Sequence, residues 1–362
     1  MLLPALSPPA RNPSRCPIPR MQLRVPSRIR RQNSVDSPMD KSPSTRDIAV
    51  VGAGALGRWI AARMASGGAD VSLVTRPGTN TGTTSCSIVG DHTAGEDGSQ
   101  SLLLQEITSG PATAFCNEKF RWLLLCTKAR DLEAAVRETK DLIAVDGCIA
   151  VLSNGLGHTE TLKTFGIERC VTASVTYGLF AAEDGSVHRC GDGGEVVIGP
   201  LDMGSGEPLA TEQSEELARR FTECSIATRV VADGTEQVWR KVMLNAGINP
   251  VAALLGCKNG DLPAHSAFAL CVEAAREVQG VAIAAGVDLA AIDAEQALRD
   301  LCRDTATNRC STLQDLDAGR PTEMEWVCGS VVRIAESDGQ EAPANRLLGA
   351  LVRDMEMTQA AS

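Results

Sequence analysis

Nowhere in its 362 residues does this chain gather an apolar run near the ~18 residues that a membrane-spanning helix needs, so no membrane association is expected. It also has no Cys-x-x-Cys pair. Its 13 cysteines are odd in number and dispersed, and Cys126, Cys148, Cys271 and Cys328 fall inside apolar runs. That argues against a disulfide framework or a zinc site and fits buried thiols in a reducing compartment; no metal is expected. Positive charge is not in excess. The formal net charge of −10 argues against a broad nucleic-acid-binding surface. What remains is a chain of 43% hydrophobic and 22% charged residues, ordinary for a globular protein and long enough for two domains.

The charge is unevenly placed. Residues 1–46 hold eight Arg and Lys41 against only Asp36 and Asp40, whereas the remainder is acidic. This leader is rich in Pro and Ser and has no sustained apolar period, so 1–46 is expected to lie outside the fold. An Arg-rich, Ser-rich, acid-poor segment describes an organelle transit peptide. The alternatives are a disordered extension, or an upstream start with Met21 or Met39 as the working one. The expected location is cytoplasmic, or mitochondrial or plastid if the leader is a transit peptide.

The most informative stretch is Asp47–Arg58. A short β-rich run breaks into Gly52-x-Gly54-x-x-Gly57 and continues in a helical pattern. Gly52 allows a tight turn, Gly54 lets the backbone approach a pyrophosphate, and Gly57 lets the helix pack closely on the strand. The backbone of Gly52, Ala53, Gly54, Ala55, Leu56 and Gly57 then forms an anion site at a helix start. The next strand, Ala69–Arg76, ends about 20 residues past the glycines, where an NAD enzyme places an acid on the ribose. That acid is missing. Thr75 and Arg76 stand there instead, and a guanidinium suits a 2′-phosphate. NADP(H) is the expected cofactor; the plain alternative for Arg76 is a solvated surface residue.

Segment Pro77–Gln100 reads as loops with one short strand. Arg121–Thr127 and Gly147–Ser153 read as buried parallel strands separated by a helical segment over Asp131–Leu142. Further β-like runs follow at Cys170–Thr176, Glu195–Ile198 and Ile226–Val231. The fold class is therefore α/β, a doubly wound sheet over 47–232. From 233 to 357 the chain reads as helical, over 235–255, 263–286, 290–318 and 322–338, then from about Ala344. The cleft between the two parts is the default site.

In an open parallel sheet, ligands bind beyond the carboxyl ends of the strands. Lys128 and Asn154 stand just there, Asn154 heading the turn Asn154-Gly155-Leu156-Gly157. Each alone is equally well a solvated loop lysine or an ordinary turn residue. A stronger signal is Lys241, Asn245 and Asn249, which recur every four residues on one helical face. A solvated face would favour Glu, Lys, Gln and Arg, and asparagine is a poor interior helix former. Pro250 also removes a helical donor and frees the carbonyl of Ala246. One lysine with two neutral amides suggests a preorganised polar site in which a desolvated lysine acts as general acid. Farther on, Thr322 and Glu325 match a capping box, which leaves Glu323 as the candidate site carboxylate. The alternative for Glu323 is helix-dipole stabilisation.

Together these segments resemble the ketopantoate reductase (2-dehydropantoate 2-reductase) family from about Ile48 to Val352. The blocks that carry the resemblance are the Gly52–Gly57 turn, Thr127-Lys128-Ala129, Asn154–Gly157, Trp239-Arg240-Lys241, Asn245–Pro250, Cys257–Gly260, Ser311–Asp315, Arg320–Glu323 and Ala342–Asn345. The resemblance implies a Rossmann-type domain followed by an all-α domain. It implies Lys241 as the general acid for a carbonyl reduced by NADPH and Glu323 as the residue that orients substrate and lysine. Asn154, Asn245, Asn249, Asn259, Asn308 and Ser311 would hold a small 2-oxo acid, while Arg76, Lys128 and Asn154 would contact NADPH. Ser153 and a longer 76–106 region depart from the family pattern. A reductase of another branched 2-oxo acid and a non-catalytic NADP(H)-binding regulator are the other readings. A regulator could lose Lys241 and Glu323; both are present. Nothing in the sequence indicates an oligomeric state.

Overall fold

The computed structural model describes residues 44–90, 102–190, 193–203 and 209–360. The leader up to residue 43, and with it the transit-peptide expectation, lies outside the described residues. The strands are β1 (Ser44–Val51), β2 (Val71–Thr75), β3 (Gly82–Val89), β4 (Leu102–Pro111), β5 (Glu118–Leu125), β6 (Ile143–Val151), β7 (Cys170–Val175), β8 (Gly178–Ala181), β9 (Val187–Cys190), β10 (Val196–Pro200) and β11 (Thr228–Val230). The helices are α1 (Ala55–Ser66), α2 (Leu132–Thr139), α3 (His158–Thr164), α4 (Leu209–Glu223), α5 (Gly234–Leu255), α6 (Phe268–Ala284), α7 (Ala294–Asp304), α8 (Ser311–Asp317), α9 (Ser330–Ser337) and α10 (Pro343–Ala360).

Among the described residues the strands form one sheet, ordered β11-β10-β7-β6-β5-β1-β2-β4-β3-β9-β8. The centre, β7-β6-β5-β1-β2-β4, is parallel, while β10 runs antiparallel to β7 and β3 antiparallel to β4. Central strands read as continuous apolar runs because both faces are covered. Alternate residues serve opposite faces. Ile48 and Val50 of β1, with Trp122 and Leu124 of β5, join Trp59 and Phe221 in one core. Ala49 and Val51, with Leu123 and Leu125, join Phe120 and Val136 in the other. A third core binds α5 to the surrounding helices through residues such as Met243, Val278, Leu298, Cys328 and Leu348. The protein is thus a Rossmann-like mixed sheet followed by a helical layer, and no described helix is long and apolar enough to cross a membrane.

Several expectations need correction. Residues 44–46 belong to the fold rather than to the leader: Arg46 is part of β1 and bonds Asp70 (Nε to Oδ2, 3.0 Å) and Glu118 (2.9 Å), so its charge is neutralised there. The one short strand expected among the loops of Pro77–Gln100 is the eight-residue β3, which pairs with β4. Strands β4, β8 and β9 and helix α3 carry no strong periodic signal and lie outside the expected elements; so does α4, although Ser214, Leu217, Ala218 and Phe221 recur at helical spacing on its buried face. The helix expected over 290–318 is two, α7 and α8, separated by a turn that holds Asn308. The Thr322–Glu325 box does not form. Thr322 N donates to Glu356 Oε1 (2.8 Å), and Glu325 bonds Arg333 and Arg353. A π turn over Glu325–Gly329 leads into α9, so the register that would bring Glu325 back over Thr322 is lost.

Two helix ends show how local sequence positions the site. Asp233 caps α5 by accepting from Glu236 N (3.0 Å), and Gly256 closes it in the left-handed region at φ 62°. Pro250 lies inside α5 without ending it.

Candidate active site

The glycine turn lies beyond the carboxyl end of β1. Gly52 adopts φ 106°, a conformation that favours glycine. A Cβ on Gly57 would fall 1.8 Å from the carbonyl oxygen of Gly52, so α1 packs against the turn only because no side chain is there. A Cβ on Gly54 would meet nothing within 4 Å, so that side of the turn is open to a ligand. Beside it, the buried Thr127 Oγ1 has no hydrogen-bond partner. A tight turn, an open approach and an orphaned hydroxyl fit a dinucleotide pyrophosphate at the start of α1. Ala53, Ala55 and Leu56 complete the turn. Arg76 follows β2 with its side chain 83% exposed, and its guanidinium lies 3.7 Å from Asp131.

A pocket lies between the sheet and the helical layer, lined by Asn154, Asn245, Asn249, Ser311, Thr312, Asp315, Glu323, Met324 and Val327. Asn245 and Asn249 reach it from α5, one and two turns after Lys241, as their spacing requires. The ammonium of Lys241 donates to the carbonyl of Val175 at 2.9 Å. Burial pushes the lysine down to about 8, and the charge of Glu323 opposes part of that shift.

Glu323 is buried and fully engaged. Its Oε1 accepts from Ala129 N (2.9 Å), its Oε2 from Asn154 Nδ2 (3.0 Å), and Lys128 Nζ lies 3.5 Å away. Lys128 also donates to Asp315 Oδ2 at 2.7 Å. Lys128, Ala129 and Asn154 come from the ends of β5 and β6, and Asp315 and Glu323 from the helices. Two layers are therefore tied at the pocket by charge-assisted bonds. The turn after Asn154 is held as closely: Leu156 N donates to Trp326 O (2.9 Å), and a Cβ on Gly155 would lie 2.5 Å from that oxygen.

Not every expected residue lines this pocket. Asn259 bonds Thr305 through Nδ2 (2.9 Å), and its N donates to Asn308 O (3.0 Å). The Asn259 side chain and the Asn308 backbone therefore lace the short turn after α5 to the end of α7, and neither residue lines the pocket. Asp315 was overlooked as a site residue. Its only sequence signal is its place in the Ser311–Asp315 block, yet it is buried and bonded to both Lys128 and Arg320. His158 was overlooked too: buried behind Asn154, its Nε2 stands 3.1 Å from the Asn154 carbonyl oxygen, and burial pushes its pKa down.

The family profile described as "Ketopantoate reductase PanE/ApbA" matches residues 48–203, and its C-terminal counterpart matches 233–356, from the Asp233 cap onward. A Halobacterium salinarum protein named 2-dehydropantoate 2-reductase is 32% identical over 234 residues, 64% of this chain and 74% of that protein. The chain belongs to the ketopantoate reductase family. A Pyrococcus horikoshii protein of the same name is 28% identical over 315 residues, covering 85% of this chain and 97% of that protein. The crystal structure of a ketopantoate reductase of this family from Ralstonia eutropha JMP134 superposes with a TM-score of 0.71 at 26% identity, covering 87% of this chain and 99% of that one. As a ketopantoate reductase family member, the protein is an oxidoreductase with a nicotinamide-dinucleotide fold. Its glycine turn and its α5 face fall in the two halves that the family profiles match.

Proposed function

We propose that this protein reduces 2-dehydropantoate to (R)-pantoate with NADPH, a step toward pantothenate and coenzyme A. The observation that carries the reading is the pocket that Asn245 and Asn249 of α5 share with Asn154, Ser311 and Glu323, one and two turns beyond Lys241, whose ammonium feels the charge of Glu323. The relatives named 2-dehydropantoate 2-reductase support this choice of substrate.

The turn Gly52–Gly57 would hold the pyrophosphate, Arg76 the 2′-phosphate, and Lys128 and Asn154 the nicotinamide half. The reduced nicotinamide supplies the hydride when bound. Lys241, protonated at neutral pH because it titrates near 8, gives its Nζ proton to the carbonyl oxygen as that oxygen gains charge. Glu323 keeps the lysine protonated against the cost of burial and orients Asn154 through Oε2. Asn245, Asn249 and Ser311 supply neutral polar groups suited to a hydroxyl and a carboxylate. Neutral donors do not compete with Glu323 for the lysine's charge.

The test is turnover of the purified protein on a panel of 2-oxo acids with NADPH and NADH. The reading predicts the highest kcat/KM for 2-dehydropantoate. A clearly higher value for another branched 2-oxo acid would move the assignment to that substrate, and no turnover of any would remove the enzymatic reading.

A further inference from the structure

The acid missing from the end of β2 has a counterpart on the neighbouring loop. In the sheet β1 lies between β5 and β2, so the loops after β5 and β2 flank the glycine turn on either side. Arg76 follows β2 directly. Asp131 follows β5, at the junction where a short 3₁₀ turn over Ala129–Asp131 passes into α2. The two side chains meet there, with Arg76 Nη2 3.7 Å from Asp131 Oδ2. Arg130 Nε lies 3.7 Å from the same oxygen.

An aspartate entering a helix normally accepts a bond from the helix's first N–H groups. The Asp131 side chain makes no such bond. Its carboxylate has no capping task, and it remains 40% exposed beside the most exposed cationic side chain at the dinucleotide turn. A ligand laid along Gly52–Gly57 with its adenosine end at Arg76 would meet this carboxylate as well. For a 2′-phosphate the encounter is repulsive, because a dianion must share Arg76 with an anion already there. For an unphosphorylated ribose it is favourable, because the hydroxyls donate and a carboxylate only accepts.

We propose that Asp131 is a cofactor-specificity residue: it restores, from the β5 loop, the ribose-binding acid that β2 lacks and so reduces the preference for 2′-phosphorylated dinucleotides. The inference rests on Arg76 as the ligand of the 2′-phosphate. Arg130 belongs to the same device, since it balances Asp131 when Arg76 is drawn to a phosphate.

The experiment is calorimetric binding of NADPH, NADH, 2′,5′-ADP and 5′-AMP to the full chain and to Asp131→Asn, Asp131→Ser and Arg76→Ala. Both Asp131 variants should tighten NADPH and 2′,5′-ADP and weaken NADH and 5′-AMP, raising the affinity ratio roughly five- to tenfold, the scale of one charge at ~4 Å near a wet surface. Arg76→Ala should lower the same ratio. If Arg76→Ala does so while both Asp131 variants leave it unchanged, the proposal falls and the Arg76 reading stands. If Arg76→Ala affects all four ligands equally, both fall. An unphosphorylated fragment that binds the Asp131 variants as tightly as the parent also overturns the proposal, because it shows that the carboxylate accepts nothing from the ribose.

Discussion

Glu323 on the helical side of the cleft accepts a hydrogen bond from Asn154 on the sheet side, Oε2 to Nδ2 at 3.0 Å, across 169 positions of sequence. The same carboxylate acts on Lys241 through its charge, opposing part of the burial that brings the lysine down to about 8. Glu323→Gln keeps the shape and removes the charge. The lysine should then titrate below 8, and kcat should decline at lower pH than in the parent. The measurement is kcat against pH for both proteins; coincident alkaline limbs would separate Glu323 from the acid.

Burying the Lys241 ammonium costs the fold stability. Unfolded, it titrates near the ordinary lysine value of 10.5; folded, near 8. Between those values the unfolded chain binds more protons, so folding stability rises with pH there, and the penalty is fully present below about 8. Lys241→Met should lower kcat by ~10²–10⁴-fold. It should also melt no lower than the parent at pH 7, with the parent gaining on it toward pH 10. A difference in melting temperature that does not depend on pH would show that the lysine is not held against its desolvation.

The second and third glycines of the turn should respond differently. Gly54→Ala has open space and should change stability by less than ~1 kcal/mol while weakening dinucleotide binding. Gly57→Ala meets the Gly52 carbonyl oxygen at 1.8 Å and should lower the melting temperature as well. Thermal melts with and without NADPH check both. Unchanged affinity in Gly54→Ala would place the dinucleotide elsewhere.

Asn249 and Asn259 should also diverge, although the sequence presents them alike. Asn249 lines the pocket, so Asn249→Ala should raise KM or lower kcat. Asn259 bonds Thr305, so Asn259→Ala should cost about 1 kcal/mol of stability with little kinetic effect. Urea unfolding together with steady-state kinetics on both variants decides this, and a kinetic defect without a stability loss in Asn259→Ala would return it to the site.

The glycine turn and the polar face of α5 were legible because each is local. Gly52, Gly54 and Gly57 act within one turn, and the spacing of Lys241, Asn245 and Asn249 is a property of any α-helix. Central strands were legible because burial on both faces makes them continuous apolar runs. Strands β4, β8 and β9 were not, because partly exposed strands at or near the sheet's edges lack that signature. The capping box at Thr322 was read correctly as a pattern and wrongly as a structure. Glu356, from the far end of α10, takes the Thr322 N–H, and no local pattern reports a competitor 34 positions away.

The sequence by itself determined the family, the order of sheet and helices, and the residue types available for chemistry, since these follow from composition, spacing and short-range sterics. Only the tertiary structure decided which polar residues share a pocket. It brought Asp315 to Lys128 across 187 positions, bonded the Asn259 side chain to Thr305, and put Asp131 next to Arg76. The physical reason is that a hydrogen bond or ion pair acts over about 3–4 Å. The packing of two layers, not distance along the chain, selects which residues come that close.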